Sequence, residues 1–147
     1  MIIRLADFDT DALGILEGVK DFISRMDHME FVPDNIAEIV ARNITADFVE
    51  TTVAEHDGKI VGALGMAYLP FMWNPDLLSA EELFFWTDKN APKTAALRLL
   101  RFTVQRIKDR GRAVTTFRCL MSSPDSLSRV YQKIGLSPVE TTHMGLI

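Results

Sequence analysis

The chain has a single cysteine, Cys119, in 147 residues. That excludes an internal disulfide and fits a reducing compartment. Three histidines, His28, His56 and His143, are scattered and show no metal-ligand spacing. Neither a metal site nor a Cys–His nucleophile is therefore expected, and Cys119 reads as a small buried apolar residue of a strand. No Gly-rich phosphate loop occurs. No apolar run approaches membrane-spanning length; the longest, residues 63–73, is broken by Gly65 and Pro70. Asp7, Asp9 and Asp11 follow Arg4 too closely for a secretory signal, so a cytoplasmic location is expected. No repeat, low-complexity tract or linker interrupts the chain. Residues 1–147 read as one domain with enough length for a core.

What the chain does have is uneven charge. Residues 1–92 hold 6 Lys/Arg against 17 Asp/Glu, a net −11; residues 93–147 hold 10 against 3, a net +7. One reading is simply unequal solvated faces. The other is a basic half that meets an anion and an acidic half that meets something cationic. A long nucleic-acid backbone does not suit this chain, because the acidic half would oppose it. A small phosphorylated molecule suits it better.

Residues 81–111 organise the rest. Leu83-Phe84-Phe85-Trp86 is an apolar run of strand length, and Asp88-Lys89-Asn90 carries turn chemistry. Asn90 or Ala91 is the expected N-cap of a helix with Pro92 in its first turn. Ala96, Leu99, Leu100, Thr103, Val104 and Ile107 then recur at helical spacing, and Gly111 sits where a left-handed C-cap belongs. A strand feeding a helix N-terminus can seat an anion on its free N–H groups, with Lys89, Lys93 and Thr94 beside it. The same residues also make an ordinary strand–helix connection.

Around that unit, residues 2–6 read as a strand. A helix follows to about Met26, with Leu13, Leu16, Val19, Ile23 and Met26 inward. Residues 25–32 suit a substrate-side lip, with His28 as a weak contact. A second helix starts at Pro33-Asp34 and turns Ile36, Ile39, Val40 and Ile44 inward. Residues 48–55 and 59–68 read as strands joined by an Asp57-Gly58 hairpin turn. Residues 70–75 form an apolar loop, either a pocket wall or a flap on the core. Residues 113–120 read as a strand. Ser122, Ser123, Pro124 and Asp125 cap a helix with Leu127, Val130, Tyr131 and Ile134 on one face, and Gly135 stops it. A last strand or hairpin runs from Val139. The order β-α-α-β-β-β-α-β-α-β is an α/β fold with a mixed central sheet flanked by helices.

Three parts of the chain carry a family resemblance. They are the hairpin from His56 to Gly65, the central unit, and Tyr131-Gln132-Lys133-Ile134-Gly135-Leu136 near the end. Together they resemble the Gcn5-related N-acetyltransferase (GNAT) family over essentially the whole chain. The run from Glu81 to Trp86 before a degenerate turn is similar to small bacteriophage-encoded members, which would imply a host cytoplasm. The resemblance implies acetyl-CoA as co-substrate, no metal, a small amine or protein amine as acceptor, and no nucleic-acid or membrane partner. Since the family often dimerises, it also allows a homodimer.

On the same resemblance, Phe85, Trp86 and Thr87 would meet the pantetheine arm through main-chain groups. Lys93, Thr94, Ala95 and Ala96 would meet the pyrophosphate. The family's turn pattern, Arg/Gln-x-x-Gly-x-Gly/Ala, falls on residues 91–96, where only Ala96 matches. Ala91 and Thr94 replace the Arg/Gln and first Gly, and Pro92 removes a donor. Glu82, four residues before Trp86, matches a position commonly used as the base, and Tyr131 matches the general acid for the coenzyme A sulfur. Strand alternation would put Glu82, Phe84 and Trp86 on one face and Glu81 on the other. No nucleophile for an acyl-enzyme is evident. The resemblance thus points to direct acetyl transfer from acetyl-CoA to a primary amine. The altered turn leaves a rival open: a catalytically silent protein of the same fold that engages a partner, with residues 70–75 as its surface.

Overall fold

Asp57 and Gly58 adopt φ of 51° and 74°, the backbone that a two-residue hairpin turn of the right twist needs. They fold β2 (Val49–His56) back on β3 (Lys59–Phe71) in the computed structural model, which describes residues 1–24, 33–111, 113–119 and 125–139. Before this hairpin come β1 (Ile2–Leu5), α1 (Phe8–Ile23) and α2 (Pro33–Thr45). After it come β4 (Asn74–Thr87), α3 (Ala95–Asp109), β5 (Ala113–Thr116) and α4 (Asp125–Lys133). This is the expected order as far as α4. The expected last strand, the lip with His28, the Ser122–Pro124 part of the expected cap and His143 lie outside the described residues.

The strands form one mixed sheet in the order β1-β2-β3-β4-β5. Neighbours pair antiparallel except β4 and β5, which are parallel. A parallel pair needs a crossover, and α3 supplies it. Helices α1 and α2 cover one face, where Ile15, Val40, Val53, Ala63 and Trp86 pack together. Helices α3 and α4 cover the other, against Leu64, Met66, Tyr68 and Ala80. With both faces covered, β3 is apolar in a continuous run rather than in alternation. Fully burying side chains such as Ile15, Leu64, Leu99 and Leu100 stabilises the layers by about 1.5–3 kcal/mol each.

Asp7 caps α1 by accepting from the Thr10 amide at 3.1 Å. Asp11 is buried and receives Arg4 at 2.5 and 2.9 Å, which ties α1 to β1 and, through Arg4, to Glu55 of β2. Thr103 of α3 donates to Thr52 of β2 at 3.3 Å inside the opposite layer. Among the described residues, no helix is long and apolar enough to cross a membrane.

Several expectations change. Leu13 is 76% exposed, because it lies about 200° around the helix from the buried Ile15. Ile39 is also exposed, and its neighbour Val40 takes the inward place. The expected loop at residues 70–75 is mostly strand. β3 runs through Phe71, and β4 begins at Asn74, with Met72 and Trp73 as the hairpin tip, 77% and 79% exposed. β5 stops at Thr116, so Cys119 lies beyond the strand and is exposed instead of buried. Helix α3 begins at Ala95 rather than at Pro92. The Pro92 carbonyl takes the Ala95 amide at 2.7 Å, forming a separate turn before the helix. Gly111, at φ 108°, ends α3 as expected.

Candidate active site

The β4–β5 ladder runs from Leu78 opposite Ala113 to Glu81 opposite Thr116 and stops there. β4 continues to Thr87, so beyond Glu81 the two strands part. On its other edge β4 slips register at the same place. Met66 faces Glu82 and Gly65 faces Phe84, which leaves Leu83 as a bulge. Gly65 is required here, since a Cβ would stand 2.5 Å from Cε1 of Phe84.

The bulge overturns the expected sharing of faces. Glu82 lies opposite Met66 on the α3/α4 side, while Phe84 and Trp86 lie opposite Gly65 and Ala63 on the α1/α2 side. An inserted residue shifts side-chain parity by one. Phe85, not Trp86, therefore shares the face of Glu82.

That switch brings Glu82 to Tyr131 of α4. The Tyr131 hydroxyl donates to Oε2 of Glu82 at 3.3 Å, and both residues are buried, at 6% and 7% exposure. Tyr131 reaches this place because Leu127, Val130 and Ile134 share the inward stripe of α4, and Phe117 stacks obliquely on its ring at 5.2 Å. Arg118, just past β5, frames the pair. Its amide donates to Oε2 of Glu82 at 3.4 Å, and its carbonyl lies 3.4 Å from the Tyr131 hydroxyl as a second acceptor. Its guanidinium donates to the Glu82 carbonyl and lies 3.7 Å from the Glu81 carboxylate. Arg118 is thus a staple across the parting strands.

Burial pushes the Glu82 carboxyl up to about 7, against smaller opposing effects from the Arg118 amide, the Tyr131 hydroxyl and the Arg118 charge. Burial also raises the Tyr131 phenol far above its ordinary value, and the charge of Glu82 adds to this. Although Cys119 is exposed, partial desolvation and, after it, the Glu82 charge hold its thiol above its usual range. A carboxyl near 7 exchanges a proton readily at neutral pH, whereas a raised thiol is a poor nucleophile.

The expected cofactor contacts are less tightly grouped. Trp86 turns its ring toward α1, where a Cβ on Gly18 would lie 2.0 Å from it; its Nε1 has no partner among the described residues. Thr87 is half-buried beside Gly62. Lys93 and Thr94 are exposed before α3, Ala96 is half-buried, and Ala95 is buried with its amide already given to Pro92. Lys89 is exposed on the same turn.

On the α1 side, a cavity of about 120 Å³ is lined by Glu17, Asp21 and Asp88, with Trp86, Gly14, Gly18 and Ile60. Among the described residues, no group of His, Cys, Asp and Glu could hold a metal. Sequence reasoning missed Arg118 and the Leu83 bulge. Arg118 sits in a strand-like run of ordinary composition, and its role rests on contacts 36 residues back. Leu83, 45% exposed, carries no local sign of a bulge.

No protein-family model matches the chain, and no curated protein matches it in sequence. Solved structures do match in fold. A possible acetyltransferase from Clostridium difficile 630 superposes with a TM-score of 0.75 at 14% identity, covering 99% of this chain and 96% of that one. A predicted acetyltransferase with acetyl-CoA from Clostridium acetobutylicum gives 0.70 at 14%, covering 97% and 94%. An aminoglycoside acetyltransferase from an uncultured soil metagenomic sample, in complex with sisomicin, gives 0.70 at 13%, covering 99% and 96%. The strand and helix order is that of this acetyltransferase fold.

Proposed function

We propose that the chain is an N-acyltransferase moving an acetyl group from acetyl-CoA to a primary amine by direct attack. The observation that carries this reading is the buried Glu82–Tyr131 pair at the point where β4 and β5 part, in a fold shared with acetyltransferases.

The residues fit acetyl-CoA in part. Beyond Glu81, β4 has no ladder partner on this edge among the described residues, and Lys89 and Lys93 bring positive charge to the start of α3. The turn itself offers few donors, since Pro92 has none and Ala95 has given its own away. Phe85, Trp86 and Thr87 would hold the arm through main-chain groups, and residues 93–96 with Lys89 would hold the pyrophosphate. When bound, acetyl-CoA supplies an activated thioester carbonyl. Glu82 takes the proton of the attacking amine, and Tyr131 provides the proton for the departing sulfur. The raised Cys119 thiol argues against an acyl-enzyme.

A cationic acceptor suits the acidic half of the chain. Polyamines, lysine side chains and protein N-termini are the classes to try, and activity confined to anionic amines would refute this preference.

The test is the melting temperature with and without excess acetyl-CoA. Ligand at about a hundred times its dissociation constant adds roughly 2.7 kcal/mol, or several degrees for a domain of this size. Turnover across an amine panel then follows. The depleted turn and the exposed Met72 and Trp73 support a second reading, a silent binding protein of this fold. No shift at millimolar acetyl-CoA would favour that reading over ours.

A further inference from the structure

Glu82 and Tyr131 have opposite tasks in the reading above, yet they touch. One residue removes a proton and the other delivers one, and only 3.3 Å separates Oε2 from the phenol oxygen. Both are buried, and among the described residues the Arg118 amide donates to the Glu82 carboxylate and the Arg118 carbonyl lies against the phenol, at 3.4 Å each. The Arg118 amide holds the carboxylate and its carbonyl lies against the phenol, so one peptide neighbourhood fixes both in register. Among the described residues, the charged and titratable groups around Glu82 are Glu81 on β4, Arg118 and Cys119 after β5, and Tyr131 on α4. β3 presents Met66, which does not titrate.

We propose that Glu82 and Tyr131 work as one proton relay, in which the proton taken from the amine refills the phenol that protonates the departing sulfur. This rests on the acyltransferase reading. A phenol raised by burial and by a neighbouring carboxylate is a weaker acid than a thiol, whose ordinary value is about 8.5. Acting alone, Tyr131 would be left as a buried phenolate beside an acidic Glu82, an arrangement that cannot persist at 3.3 Å. Transfer across that contact resolves it. The acceptor nitrogen forms the C–N bond with its lone pair, and the C–S bond breaks with its pair on sulfur. Glu82 takes the nitrogen's proton, Tyr131 gives its own to sulfur, and Glu82 returns a proton to Tyr131. Glu82 ends ionised and Tyr131 neutral, as both began, and the net products are the amide and the free thiol.

Two independent residues and one relay differ in how their losses combine. Glu82→Gln and Tyr131→Phe are each expected to lower kcat by about 100-fold, with the double variant no worse than about 100-fold; independent roles would give roughly 10,000-fold. A second readout uses the ligand-free protein. The carboxyl carbon of Glu82, followed by NMR, should titrate near neutral in the wild type and at higher pH in Tyr131→Phe, which lacks the donor to the carboxylate. An unmoved midpoint would overturn the relay, because the contact would be absent in solution. Losses that multiply in an active enzyme would overturn the relay alone. A wild type inactive on every amine, with no acetyl-CoA binding, would overturn the acyltransferase reading and the relay with it.

Discussion

Glu82→Gln should make the protein more stable at alkaline pH. The folded chain holds the Glu82 carboxyl at about 7 against an ordinary 4.5, because burial penalises its charge. Between those values the native state binds the proton more tightly than the unfolded state does. Wild-type stability is therefore favoured below pH 4.5 and falls as pH rises through about 7. That rise from 4.5 to about 7 corresponds to about 3 kcal/mol, all of it expressed above pH 8. Glutamine keeps an oxygen for the Tyr131 hydroxyl and the Arg118 amide but cannot ionise. At pH 5 the two proteins should melt within a degree or two of each other. By pH 8.5 the variant should melt higher by about 6–12 °C, at the 2–4 °C per kcal/mol expected for a chain of this length. Urea denaturation from pH 5 to 8.5 gives the same difference as a free energy. A variant-minus-wild-type gap that stays flat across this range would refute the reasoning, since Glu82 would then carry its charge without penalty.

Two packing predictions concern how α1 lies against Trp86 and Ile60. Gly18→Ala places a Cβ 2.0 Å from the Trp86 ring and should cost about 1–3 kcal/mol in urea denaturation, with a changed Trp emission. Gly14→Ala meets only the Ile60 side chain, at 2.9 Å, and should cost less; the reverse order would show that α1 does not lie on Trp86 as described. Asp11→Ala removes one of the two carboxylates that Arg4 meets, leaving Glu55, and should cost about 2 kcal/mol, below the fully buried range because a third of Arg4 remains in water. Arg4 holds the Asp11 carboxyl below its ordinary 3.8, so this stabilisation is present above that pH and is lost as pH falls below it. Asp11→Asn should accordingly flatten the acid limb of a stability–pH curve, and an unchanged limb would refute the pairing.

The sequence by itself determined the succession of elements. Period-2 and period-3.6 patterns are local, and so are the turn residues that bound them; Asp57-Gly58, Gly111 and Gly135 all take the left-handed backbone that their places require. It also determined that Tyr131 points inward, because Leu127, Val130 and Ile134 set the stripe on which it lies. Only the tertiary structure decided which side of the sheet Glu82 occupies. Alternation along residues 81–86 grouped it with Trp86, but the register against β3 inserts Leu83 as a bulge and moves it to Tyr131. A bulge is a property of two strands, so nothing within one of them announces it. The burial of the Tyr131 ring, the staple made by Arg118 and the exposure of Cys119 past the end of β5 are likewise decided by packing between segments 13 to 49 residues apart. The near-neutral Glu82 carboxyl follows from the same cause, because desolvation depends on what the fold places around a charge.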